Sequence, residues 1–155
     1  MNIEYINPFI EASQVVLKTM ANLDAILGKV YLKNSPYKGD NVVIIVGLTG
    51  TIRGQVMFSM NKTVAMNVAS SMMYGMPVLE LDEISKSAIS ELTNMILGNA
   101  ATILYNKGIG IEITPPSFLM GENLQISSTK MQTICIPLNL SNGDIIEIDI
   151  SVVEK

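Results

Sequence analysis

The sequence predicts an α+β fold of two related halves, each a long helix followed by antiparallel strands, with the strands forming a sheet packed against the helices. Three observations carry this expectation. Hydrophobic periodicity runs helix, strands, helix, helix, strands over 155 residues without a Pro/Ser-rich linker or charge run, the pattern of one domain over 1–155. Both long helices carry an acid followed three residues later by an amide, Glu11 with Gln14 and Glu91 with Asn94. Hydrophobic residues make up 48% of the chain against 15% charged, a surplus that a well-covered sheet or a subunit interface absorbs.

Each element has a local reason. Asn7-Pro8 reads as an N-cap followed by proline at the first helical position, opening a helix from about Pro8 to Leu27 that Gly28 stops. Phe9, Val16, Met20 and Leu23 are among its apolar positions. Strands are expected at Val30 to Lys33, Val42 to Leu48 and Gln55 to Met60, the last two joined by a turn around Thr49 to Gly54. A second helix runs from about Lys62 to Tyr74 and ends at Gly75, before Pro77. Its methionines, Met66, Met72 and Met73, suit adaptable core filling. The third helix begins near Asp82, a cap residue, and closes at Gly108, with Ile84, Ala88, Leu92, Met95, Ile96 and Ile103 as its expected buried stripe. Pro115-Pro116 marks a loop. The last third alternates like strands at Ile109 to Ile113, Leu124 to Ser127, Met131 to Leu138 and Ile145 to Val153, and Asn142-Gly143 is a strong hairpin signal between the last two.

Composition excludes several classes of function. The chain has no histidine, which removes Ser-His and Cys-His nucleophile systems and histidine metal sites. A net charge of −4 without a Lys/Arg stripe argues against a nucleic-acid partner. No phosphate-cradling glycine loop is present. The single Cys135, in the apolar run Thr133-Ile134-Cys135-Ile136, reads as a small core hydrophobe and suits a reducing compartment. Mean hydropathy is +0.38, yet no apolar run reaches the ~20 residues of a membrane helix, and Met1-Asn2-Ile3-Glu4 lacks a basic signal start. The expectation is a cytoplasmic protein without membrane insertion.

The run Ser90-Glu91-Leu92-Thr93-Asn94-Met95-Ile96-Leu97-Gly98-Asn99-Ala100 carries the functional signal. At about 100° per residue, Glu91 and Asn94 share one helix face. A Glu-x-x-Asn spacing alone is more often a solvated face than a site. Glu4-Tyr5-Ile6-Asn7 has it too, with Asn7 expected to be occupied as a cap. What distinguishes the second occurrence is its mid-helix position and its neighbours Ser87, Ser90, Gly98 and Ala101, all small, where long charged residues are the ordinary choice. Gly98 costs roughly 1 kcal/mol against Ala in a helix interior, so it calls for a packing or docking reason. An acid beside an amide performs little covalent chemistry alone, but it can steer a water and grip a lysine.

The string Glu91-Leu92-Thr93-Asn94-Met95 followed by Gly98-Asn99-Ala100 resembles the signature of the CheC/CheX/FliY family of chemotaxis phosphatases, with the CheX type nearest, and the similarity spans nearly the whole chain. The resemblance implies a phosphorylated CheY-type response regulator as substrate, whose own site supplies Mg2+, the phosphoaspartate and a lysine, so that this chain binds no cofactor or metal. It further implies that Asn94 orients the attacking water and Glu91 pairs with the regulator's lysine, with Ser87, Ser90, Gly98 and Ala101 forming the docking surface. CheX-type members carry one working motif and the CheC type two. Glu11 and Gln14 are then an inactive first-half copy, glutamine displacing the amide by one methylene. The resemblance and the hydrophobic surplus together imply a homodimer, with strands continuing across subunits. The alternative class is a non-catalytic binding or assembly module of the chemotaxis or flagellar-switch type. An enzyme acting on a small metabolite would need a concave polar pocket, for which the sequence offers no constellation.

Overall fold

A computed structural model describes residues 2–127 and 131–154. Helix α1 (Ile3–Ala21) leads into short strands β1 (Ala25–Leu27), β2 (Tyr31–Lys33) and β3 (Tyr37–Lys38), then the long hairpin β4 (Val42–Gly50) and β5 (Ile52–Met60). Helix α2 (Lys62–Met72) crosses to α3 (Glu83–Asn106). The second half then repeats the order: β6 (Ile111–Ile113), β7 (Ser117–Met120), β8 (Gln125–Ile126), and the hairpin β9 (Thr133–Leu140) and β10 (Ile145–Glu154).

The two expected halves are present and interlocked. The main sheet runs β1-β9-β10-β5-β4-β6, with β2 also on β9 and β7 also on β4, and the pairings are antiparallel. The short strands of each half therefore pair with the long hairpin of the other. β5 and β10 meet in the middle, Ile150 opposite Val56, and β3 pairs with β8 in a separate two-stranded ribbon. Such exchange makes neither half complete without its mate, since each leaves sheet edges that only the other fills.

Alternation along the hairpins sends Val42, Ile44, Val46, Val56, Phe58, Ile136, Leu138, Ile148 and Ile150 to one face, where they form a continuous core with α1, α2 and α3. The helices repeat the duplication with an offset of eighty residues. Phe9, Ser13, Val16 and Leu17 of α1 are buried as are Ile89, Thr93, Ile96 and Leu97 of α3. Even the buried hydroxyls match: Ser13 Oγ donates to the Phe9 carbonyl at 2.6 Å and Thr93 Oγ1 to the Ile89 carbonyl at 3.1 Å, each satisfied one turn back within its own helix.

Several expectations need correction. Helix α1 starts four residues earlier than Asn7, with Asn2 accepting from the Glu4 N–H at 2.9 Å, and Asn7 and Pro8 lie inside the helix. Proline is tolerated there because its missing N–H deprives only the Glu4 carbonyl, which lies in the exposed first turn. The helix ends at Ala21 rather than Leu27. Asn22 turns left-handed (φ 53°), its N–H and that of Leu23 close on carbonyls of the last turn, and Ala25–Leu27 leaves as a strand. The β4–β5 turn is tighter than expected, with Thr51 alone between the strands, and β5 begins at Ile52. Gly54 lies within β5 at φ +147°, where a Cβ would sit 1.9 Å from the Ser151 carbonyl oxygen, so close strand approach rather than a turn requires it. Strands β3 and β7 were not expected at all.

Cys135 is buried as expected but not in the apolar core. It faces the other side of the sheet, where its thiol donates to Glu147 Oε2 at 3.0 Å. Tyr31 OH donates to the same oxygen at 2.6 Å, and Lys33 Nζ lies 3.0 Å from Asp149 Oδ2 and 3.6 Å from Glu147 Oε1. A polar cluster thus occupies the sheet face opposite the helices.

Candidate functional site

Helix α3 is held firmly before any function is asked of it. Asp82 caps it, accepting from the Ser85 N–H at 2.9 Å and the Ser85 hydroxyl at 2.7 Å, and these two bonds hold the Asp82 carboxyl below its ordinary value of 3.8. Ile89, Leu92, Ile96, Leu97, Ala100 and Leu104 are buried against α1, α2 and the sheet. The buried stripe is rotated from the expected one: Ile84 is 69% exposed, Ala88, Met95 and Ile103 are half-buried, and Ile89, Leu97, Ala100 and Leu104 are buried instead. Ile84 lies about 140° around the helix from Ile89, at roughly 100° per residue, so once the core fixes Ile89 inward, Ile84 faces water.

The same geometry decides the motif. Leu92 and Thr93 are buried, so their flanking neighbours Glu91 and Asn94 are driven outward, and both are exposed. Neither the Glu91 carboxylate nor the Asn94 carboxamide makes a hydrogen bond or ion pair with another described residue. Three residues apart on a helix, their Cβ atoms are neighbours at ≈ 5–6 Å. The pair can reach a group brought from outside, because no described residue holds either end.

The small neighbours are placed unevenly. Ser87 and Gly98 are exposed, while Ser90 and Ala101 are half-buried. A Cβ added at Gly98 would meet nothing within 4 Å, so no internal packing explains this glycine. Ser87 and Ser90 line a groove of about 460 Å³ with Glu83, Lys86, Phe118 and Met120. Phe118 and Met120 come from β7, a strand too short and too exposed to have left a periodic signal. At the rim, Lys86 Nζ lies 3.6 Å from Glu83 Oε1.

The first-half copy is differently arranged. Glu11 is exposed like Glu91, but the Gln14 amide donates to the Ala25 carbonyl at 3.1 Å and so ties α1 to the start of β1.

An α+β fold of two interlocked halves, each a long helix leading into antiparallel strands, is the fold of the CheC-like class. A CheC-like superfamily protein from Shewanella sp. PV-4 has the same fold over 99% of both chains, at 31% identity and a TM-score of 0.87. Residues 42–139 match the family described as chemotaxis phosphatase CheX. The "CheY-P phosphatase CheX" of Thermotoga maritima is 35% identical over 112 residues, 72% of each chain. The crystal structure of a CheX-CheY-BeF3-Mg+2 complex from Borrelia burgdorferi contains a chain 36% identical to this one, with a TM-score of 0.81 over 99% of this chain and 100% of that one. The chain belongs to the CheX family of chemotaxis phosphatases.

Proposed function

We propose that this protein accelerates hydrolysis of the phosphoaspartate on a CheY-type response regulator, with Asn94 orienting the attacking water and Glu91 pairing with the regulator's active-site lysine. The observation that carries the reading is the pair itself: an acid and an amide on a helix pinned by its core, facing outward and unpartnered among the described residues. The 35% identical CheY-P phosphatase and the relative complexed with CheY support the choice of substrate.

The chemistry asks little of this chain. A water oxygen bonds to phosphorus as the bond from phosphorus to the aspartyl oxygen breaks, leaving a carboxylate and inorganic phosphate. The transition state is loose, so the gain comes from positioning and electrostatics rather than from a strong base. The Asn94 carboxamide can hold the water by its oxygen and a phosphoryl oxygen by its N–H groups. Glu91 supplies an anchor for a cation three residues away. In this reading the Mg2+ is the regulator's, and the regulator's cleft supplies the rest of the active centre. Ser87, Ser90, Gly98 and Ala101 keep the helix face low enough for that cleft to close over it.

The protein in this reading is a cytoplasmic homodimer. Among the described residues no helix is long and apolar enough to cross a membrane. Self-association has a natural seat at the β1–β2 edge, where Ile26, Leu27 and Leu32 are exposed on strands paired on one side only and Val30 is exposed on the link between them. Sedimentation at micromolar concentration tests the dimer. The activity is tested by following decay of a phosphorylated CheY-type receiver with and without the protein. Accelerated release of phosphate is expected, and unchanged decay with the receiver bound would favour a binding module instead.

A further inference from the structure

The outward stripe of α3 does not end at the motif. Ile84 lies seven residues before Glu91, two turns and about 10.5 Å along the axis, and within about 20° of it around the helix. Only Ser87 and Ala88 stand between them on that side. Beyond Ile84 the chain that connects α2 to α3 is unusually apolar for an exposed segment: Leu79 is 90% exposed and Met76 is 65% exposed. With Met73, Val78 and Ile84 these residues line a groove of about 370 Å³, large enough to receive one or two apolar side chains. Contiguous exposed apolar residues around a concavity are the mark of an interaction site. The far end of the stripe offers no match, because Tyr105 is a single exposed apolar side chain there beside the exposed polar residues Thr102, Asn106 and Lys107.

We propose that this groove is the second contact of the phosphorylated receiver, taking an apolar side chain from the receiver surface next to its phosphorylation cleft. The inference rests on the reading that the phosphoaspartate comes to Asn94. A small domain is about 30 Å across, so one centred on Asn94 reaches about 15 Å each way. That span includes Ile84, ten residues back. The occupant is the receiver rather than a second copy of this chain for two reasons. The groove is continuous with the Glu91–Asn94 stripe on one rigid helix, and the self-pairing edge at β1–β2 lies on a different element. Glu80 and Asp82 line the groove beside these apolar residues, so the matching receiver surface is an apolar residue flanked by cations. The groove thus supplies affinity, while the amide tip supplies the rate.

The test uses Leu79→Asp and Ile84→Asp, made singly in the full chain. Both side chains are exposed, and an aspartate in the first turn of α3 suits the helix dipole, so circular dichroism should be unchanged. The Kd for a receiver loaded with beryllium trifluoride and Mg2+ is measured alongside hydrolysis of the phosphorylated receiver. Each variant should raise Kd by about tenfold, the loss typical of one central apolar anchor. Hydrolysis at saturating receiver should stay within about twofold of wild type, since Asn94 is untouched. Unchanged Kd in both variants would overturn the proposal, as would an unchanged Kd accompanied by dissociation of the homodimer, which would assign the groove to a second copy. The reading beneath it fails separately. If Asn94→Ala hydrolyses as fast as wild type while the groove variants still lose affinity, the catalytic assignment falls and the groove stands.

Discussion

Gln14 and Asn94 occupy equivalent positions in the two halves, eighty residues apart on helices that share five buried positions in register, yet among the described residues only Gln14 has a partner, donating to the Ala25 carbonyl at 3.1 Å. The cause is helix length. α1 ends at Ala21 and β1 starts at Ala25, which brings that strand's first carbonyl within reach of a long amide. α3 runs on to Asn106 before β6 starts at Ile111, so no equivalent carbonyl comes near Asn94.

The two amides should therefore respond oppositely to truncation. Asn94→Ala should lower stimulated hydrolysis of a phosphorylated receiver by about 10²–10³, the usual loss for one transition-state hydrogen-bonding group. Its melting temperature should hold, because an exposed unpartnered amide contributes little. Gln14→Ala should leave hydrolysis intact and cost ~1 kcal/mol, the net value of its bond to Ala25. Steady-state phosphate release and thermal melts on both variants check the pair.

Glu91 differs from Asn94 in what its loss should do. As an anchor for a lysine it acts on docking, so Glu91→Gln should raise the receiver concentration needed for half-maximal rate. Glu91→Lys should raise it further through like-charge repulsion. Added salt should narrow the gap between wild type and Glu91→Gln, since screening weakens the charge that the variant lacks. Titrating the receiver at low and moderate ionic strength reads this directly.

Gly98 separates stability from access. With open space around it, Gly98→Ala should stabilise α3 by up to ~1 kcal/mol, because a helix interior prefers alanine. Gly98 is exposed, so Gly98→Leu should also fold. It should nonetheless hinder close approach of a partner backbone and weaken receiver binding. Urea unfolding with a binding titration on both variants tests whether the glycine serves docking.

Much of this arrangement was legible from residue order. Asp82 before an amphipathic run, Gly75 before Pro77 and Asn142-Gly143 between alternating strands fixed α2, α3 and the β9–β10 hairpin to within a few residues. The exposure of Glu91 and Asn94 followed from helical spacing alone. What escaped was decided by tertiary contact. Ala25–Leu27 continues the apolar pattern of α1 and becomes a strand only because β9, from the other half, offers it a partner at Leu138 to Leu140. Strands β3 and β7 are short, and their pairing partners lie in distant sequence. Ile84 reads as core in the helical pattern and turns outward only once Ile89 and Leu92 are fixed. Asn7-Pro8 reads as a helix start because proline favours that position, but Asn2 is the cap and the first turn tolerates the proline's missing bond.

The outer face of the sheet gives the last prediction. Lys33 and Asp149 are paired at 3.0 Å with side chains only 10% and 2% exposed, and Asp149 Oδ1 has no partner among the described residues. Burial would lower the Lys33 ammonium, but Asp149 beside it raises it above its ordinary value; burial pushes the Asp149 carboxyl up against the pull of Lys33. Lys33→Met leaves that carboxylate buried without its cation, which should cost about 3–5 kcal/mol at neutral pH. The pH dependence follows from the sign. A carboxyl whose folded value is raised binds its proton more tightly folded than unfolded, so its penalty is absent below the ordinary value of 3.8 and grows as pH rises from there toward the folded value. The gap between wild type and Lys33→Met should therefore be small near pH 4 and widen toward pH 7. Adding Asp149→Asn to Lys33→Met should recover part of the loss and flatten the dependence. Urea midpoints of the three proteins across that range are the measurement, and an equal gap at every pH would place the cost in lost packing of the lysine stem instead.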